Sequence, residues 1–263
     1  MKKRIFRLTA VVLVLGLALT GILATAATPA EAAVTSKITF HLYNGATPLT
    51  PKTTYWATVS GYPGTYGEGD TLDVPTDTTI SYSLSSKGTA GTITSAWVTT
   101  KVTADVNLNL EYTTLIVNLY NKDTKLADGT KYWVTISGWG TAIHGDHVHL
   151  PPNTNISYSL SSKGTAGTIT SAWVVRLGNG GGEGTGTWDL QYATVTFVFE
   201  SGNTTYSTII SGWGSVANNQ KAHLPPGTGV SIAAKYNGYQ GPWYVRNFSA
   251  GDSTITWKMM PTP

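Results

Sequence analysis

Apolar and polar residues alternate with a period of two through short runs of this chain, and beyond residue 33 no stretch carries the spacing of an amphipathic helix. Ile38, Phe40 and Leu42 open one such run, Leu115, Val117 and Leu119 a second, and Val195, Phe197 and Phe199 a third. Each predicts a strand with one buried face. Another strand sets Tyr132, Val134 and Ile136 against Trp133, Thr135, Ser137 and Trp139, and a further one sets Ile80, Tyr82 and Leu84 against Ser81, Ser83 and Ser85. Closing strands are predicted at Val106, Leu108, Leu110 and Tyr112 and at Trp188, Leu190 and Tyr192. Gly, Pro, Asn and Asp separate the runs. The predicted fold class is therefore all-β, built from small antiparallel β-sandwich modules with almost no helix.

The pattern repeats. The segment ISYSLSSKGTAGTITSAWV occurs without change at residues 80–98 and 156–174. A third, diverged copy is marked by Ser211-Gly212-Trp213, which matches Ser137-Gly138-Trp139 and Ser60-Gly61-Tyr62, and by His223-Leu224-Pro225-Pro226, which matches His149-Leu150-Pro151-Pro152. Three tandem modules are predicted, at residues 36–113, 114–193 and 194–263, the last four residues shorter between Gly238 and Trp243. LNLEYTTLIVNLY and WDLQYATVTFVFE run from the last strand of one module into the first strand of the next with almost nothing between, so the junctions should be stiff. Tandem copies suit a unit that extends, assembles or binds several times better than a catalytic site, which needs unlike groups placed once.

Residues 1–33 read as an export signal: Lys2, Lys3, Arg4 and Arg7 precede an apolar run, and small residues lead to cleavage after Ala32 or Ala33. A retained signal anchor is the alternative. Removing those four cations and Glu31 from 17 basic and 14 acidic residues leaves 13 of each. A chain so near neutrality has no long-range field to gather phosphates, which argues against nucleic acid and against membrane insertion once the signal is gone. With no Cys anywhere, burial alone must hold each module together. No sorting motif or apolar tail follows Trp257, so any attachment to a cell is expected to be noncovalent. The expected location is secreted or extracellular.

The segments HLPPNTNISYSL and HLPPGTGVSI, each followed by a Lys-Gly or Asn-Gly turn, with Gly145-Asp146 ahead of the first, resemble the transthyretin-like, carboxypeptidase-regulatory-like sandwich domains of exported bacterial surface proteins. The first module departs from the pattern with Asp73-Val74-Pro75-Thr76, and only the third keeps Gly227-Thr228. The resemblance implies a small sandwich used as a spacer, stalk or adhesion module, without catalysis.

Two clusters offer chemistry. The stripe Trp133, Thr135, Ser137 and Trp139 places two indoles around two hydroxyls, an arrangement that suits a sugar ring; Trp56, Thr58, Ser60 and Tyr62 repeat it, and Trp213 keeps one member. Packing between modules is the other reading. His144, Asp146, His147 and His149 carry metal-ligand residue types, with His147 and His149 on one strand face. The first module has Glu68, Asp70, Thr71 and Asp73 there and the third Gln220, Lys221 and His223, so no ligand set is shared and a polar turn is the simpler reading. Trp97, Trp173 and Trp243 recur by position and are expected in the core. The segments at 85–92 and 161–168 are Gly-rich, but Lys precedes Gly and no helix follows, so they are hairpin turns and not phosphate loops. No carboxylate pair or activated nucleophile stands out. The sequence thus leads to a secreted, non-enzymatic surface or matrix protein without cofactors. Its expected partners are a polysaccharide, another cell-surface polymer or copies of itself. A carbohydrate-binding array and a fibre subunit are the alternatives.

Overall fold

The computed structural model describes residues 33–177 and 185–258, and the export segment expected at residues 1–33 lies outside them apart from Ala33. Strands are the sole regular elements among the described residues. The first repeat carries β1 (Thr35–Asn44), β2 (Thr47–Pro48), β3 (Tyr55–Val59), β4 (Thr71–Pro75), β5 (Thr78–Lys87), β6 (Thr92–Thr94), β7 (Val98–Val102) and β8 (Val106–Glu111). The second carries β9 (Thr113–Asn121), β10 (Thr124–Lys125), β11 (Tyr132–Ile136), β12 (Gly140–Ala142), β13 (His147–Leu150), β14 (Asn155–Lys163), β15 (Thr168–Thr170), β16 (Val174–Leu177) and β17 (Thr185–Gln191). The third carries β18 (Ala193–Phe199), β19 (Ser207–Ile210), β20 (Gly214–Ala217), β21 (Lys221–Leu224), β22 (Gly229–Tyr236), β23 (Tyr239–Gln240), β24 (Tyr244–Asn247) and β25 (Gly251–Trp257).

The all-β expectation holds, and the described strands form six sheets in which related pairings recur. In each repeat the opening strand sits at the centre of one sheet, as in β2-β1-β4 and β10-β9-β13, while the long third-face strand centres another, as in β12-β11-β14-β15. Most pairs are antiparallel. The exception is the closing strand, which returns to lie parallel to the opening one: Ile38 pairs with Val106, Val117 with Trp188 and Val195 with Ser253. Because opening and closing strands point the same way, each repeat finishes at the end from which the next departs. Tyr112 alone separates β8 from β9, and Tyr192 alone separates β17 from β18.

The alternating residues fill the space between paired sheets. Ile38, Phe40 and Leu42 are fully buried with Val59, Val74 and Leu84, and Val117 and Leu119 are buried with Val134, Ile136 and Leu190. The Pro-containing segments behind the family resemblance are turns that deliver the chain from one sheet to the other. Asp77, Asn153 and Gly227 occupy equivalent turn positions at φ of 63°, 54° and 71°. That left-handed conformation explains why the residues alternate among Asp, Asn and Gly, the types that tolerate it best.

The described residues from Ser36 onward form a single compact unit, and the reason lies at the joints between repeats. The hairpin that follows β14 presses against the turn after β19. A Cβ at Gly164 would collide with the Trp213 ring and carbonyl, and one at Gly214, whose φ is +133°, would collide with Thr165 Oγ1. Ala166 N donates to Trp213 O at 2.8 Å, and Trp213 Nε1 donates to Ser162 Oγ at 3.0 Å. The earlier joint uses the same parts: Gly88 lies under Trp139, Gly140 against Thr89, and Ala90 N donates to Trp139 O at 2.8 Å. Ile93 of the first hairpin is buried in the core of the second repeat, and Ile169 in that of the third. Burying such a side chain is worth about 1.5–3 kcal/mol. The outermost positions lack these parts, since Ser60-Gly61-Tyr62-Pro63-Gly64 replaces the Trp-Gly turn in the first repeat and Asn237-Gly238-Tyr239-Gln240-Gly241 replaces the Thr-Ala-Gly hairpin in the third.

Candidate functional site

The outward faces of the β5 and β14 sheets carry the residues with binding chemistry. Trp56 stands opposite Ser85 and Thr58 opposite Ser83, while Trp133 stands opposite Ser161 and Thr135 opposite Ser159. These four serines point away from the inter-sheet core, because their neighbours Leu84 and Leu160 fill it. They are nevertheless only 2–3% exposed. Small hydroxyls set among larger side chains lose their water and bond one another, so Ser85 Oγ lies 2.9 Å from Thr94 Oγ1 and Ser161 Oγ 2.9 Å from Thr170 Oγ1.

The predicted stripe does not run as far as Trp139. β11 ends at Ile136, Gly138 turns with φ of +75°, and Trp139 N donates back to Ile136 O at 3.1 Å. The turn breaks the alternation and sends the Trp139 ring into the joint, where it packs against the second core. Trp213 does the same in the third repeat, and Tyr62 packs on the first core. Trp133 and Thr135 remain on the outer face half-buried, as Trp56 does, while Ser137 is exposed at the turn. The structure thus separates the sequence-derived stripe into two outer-face residues, Trp133 and Thr135, a turn residue, Ser137, and a joint residue, Trp139.

Three indoles expected in the core are on the surface. Trp97, Trp173 and Trp243 are 55%, 56% and 46% exposed, each just ahead of the edge strand β7, β16 or β24. Val98, Val174, Val175, Tyr244 and Val245 extend the apolar surface along these edges. Sequence periodicity assigns Trp97 and Trp173 no face, because each lies in the break between two strands. Ser95 pins that break, its Oγ accepting from Leu84 N at 3.0 Å, and Ser171 accepts likewise from Leu160 N. A cavity of about 390 Å³ opens on this edge between the first and second repeats, lined by Tyr82, Ala96, Val98, Glu111 and Pro152 but not by the Trp97 ring.

The histidines diverge. His144 Nδ1 accepts from Leu119 N at 3.0 Å, with its ring edge-on to Tyr120. His149 Nδ1 lies 3.0 Å from Asn44 Nδ2 and 3.1 Å from Thr114 Oγ1, with its ring against Tyr55 of the first repeat. His147 is exposed, and no group of three potential ligands gathers among the described residues. His149 is a joint residue, matched by His223, which meets Thr194 Oγ1 at 3.1 Å and the Tyr132 ring. Burial, reinforced by His147 in one case and Lys221 in the other, holds both imidazoles below their usual range.

Sequence reasoning took Tyr112 and Tyr192 as ordinary closing-strand residues, but they anchor the junctions. Tyr112 Oη donates to Ser85 O at 2.8 Å and Tyr192 Oη to Ser161 O at 2.9 Å. Burial pushes both hydroxyls well up from their ordinary range, so they stay protonated as donors.

No protein-family model matches the chain, and no curated protein matches it. Among solved structures it is similar to the Bacillus anthracis TIE protein, with 13% identity over 86% of this chain and 50% of that one, and a TM-score of 0.22. The chain spans half the length of that structure, and a similarity this slight supports no argument about fold or activity.

Proposed function

We propose that this is a secreted, non-enzymatic surface or matrix protein in which three tandem β-sandwich modules, with the boundaries read from the sequence, form a stiff adhesive rod. The observation that carries the reading is the equivalent placement of Trp97, Trp173 and Trp243, each exposed beside an edge strand of a scaffold whose joints are locked. A large exposed indole offers area for stacking or apolar contact, and repetition multiplies weak contacts on a repetitive polymer. The transthyretin-like resemblance of the turns agrees with such a spacer role.

A carbohydrate-binding array is the second reading, favoured by the half-buried Trp56 and Trp133 at equivalent places on the outer sheet faces. A fibre subunit built head to tail through the same joint is less well supported, because the first turn lacks its Trp and the third hairpin its Thr-Ala-Gly. The test is a pull-down of the purified chain on insoluble cellulose, chitin and peptidoglycan beside Trp97→Ala/Trp173→Ala. Both indoles are exposed, so the variant should fold. Retention on at least one matrix that falls more than about tenfold in the variant supports adhesion through these indoles. Equal retention of both proteins, or retention of neither, counts against it.

A further inference from the structure

An open cleft of about 490 Å³ at the joint between the second and third repeats is lined by three lysines, Lys131, Lys163 and Lys221, and by no carboxylate. Two of them are brought together by the backbone, for Lys163 N donates to Lys131 O at 2.8 Å. Lys221 arrives from the third repeat at the start of β21. Lys131 has one ion pair, to Asp128 at 3.2 Å, exposed on both sides and therefore weak. Lys163 and Lys221 have no ion pair among the described residues.

The duplication supplies an internal comparison. At the first joint Lys87 N donates to Thr54 O at 2.8 Å in the same geometry, so Thr54 stands where Lys131 does. There, His147 stands in place of Lys221, and Asp146 in place of Gln220. One joint thus gathers three lysines, of which Lys131 pairs with Asp128 and Lys221 lies in the field of Asp252, while the equivalent positions of the other hold a single lysine, an aspartate and a histidine. Hairpin and tryptophan turn are the same in both, so the joint itself does not need the extra lysines.

We propose that this cleft binds the acidic groups of an anionic polysaccharide. Like charges lining one concavity raise its potential, and an acidic group placed among them relieves their repulsion. The volume falls in the range of small-ligand sites and exceeds what a single inorganic anion fills. Thr165, Ser215 and Gln220 offer hydroxyl and amide partners for sugar hydroxyls, and the Trp213 ring, its Nε1 already committed to Ser162, offers a wall. This site is separate from the exposed indoles and does not depend on the adhesive reading.

Titration calorimetry of the purified chain would use three probes: hexagalacturonate, which has sugar and charge, cellohexaose, which has sugar alone, and tripolyphosphate, which has charge alone. Hexagalacturonate is expected to bind, to weaken with added salt, and to bind at least about tenfold more tightly than either other probe. Lys163→Gln/Lys221→Gln should lose about tenfold or more in affinity, whereas Lys87→Gln, at the equivalent hairpin of the first joint, should bind as the parent does. The altered lysines are exposed, and an unchanged melting temperature would establish that the variant folds. No binding of hexagalacturonate, equal binding of cellohexaose or tripolyphosphate, or undiminished binding by Lys163→Gln/Lys221→Gln would overturn the proposal.

Discussion

His223 shows how much a single side chain depends on the neighbouring repeat. Its folded environment favours the neutral ring, through burial first and Lys221 second, with Asp252 opposing. The unfolded chain takes up a proton near pH 6.5, its ordinary value of about 6.5 being unperturbed there. The stability linked to this residue is therefore present above about pH 6.5 and is lost as the pH falls through that value and past the lowered folded one. The melting temperature is expected to be lower at pH 5 than at pH 7.5, by a smaller margin in His223→Gln. An identical fall in the variant would assign the effect to other groups. None of this was visible in the sequence, where His149 stood within a histidine cluster. The atoms that decide its role, Asn44 and Tyr55, come from a different repeat about a hundred residues away. Spacing along a chain reports same-strand neighbours and is silent about such partners.

At the level of elements, the strands were legible and the hairpins only half so. Period-two alternation located the buried faces of β1, β9 and β18, and in β11 it held as far as Ile136, where the glycine turn ended it. The Gly-rich segments were recognisable as turns, but their use as joints was not, since a hairpin glycine serves equally for a bend or for close approach. Ile93 and Ile169 sit in three-residue strands too short to declare a direction. Ile169→Ala leaves a void where the second repeat plugs the third, and should cost about 2–4 kcal/mol. In urea the variant is expected to lose cooperativity, with the third repeat unfolding ahead of the rest when followed by Trp fluorescence. A single transition at the parent midpoint would mean that the isoleucine does not couple the two. The exposed Trp97 and Trp173 were misjudged for a related reason: recurrence says that a residue matters at its place, not which side of the sheet it faces.

For the whole molecule, two short connections and two interlocked joints leave little freedom between repeats. Tyr112 and Tyr192 are hydrogen-bonded into the repeat they close, and Lys122 meets Asp252 at 2.7 Å across the second joint. Small-angle scattering of the purified chain should fit one narrow set of inter-repeat angles at both low and high salt, because the exposed Lys122–Asp252 pair contributes little. A broad spread of angles would contradict the stiff rod. The distribution of the joint's two halves has a further consequence. The first repeat owns only the plug, the third only the socket, and the middle repeat owns both. The middle repeat can therefore be seated by one neighbour and seat the next, so that a further copy of residues 114–193 inserted beside it would add one more unit with the same joint on either side.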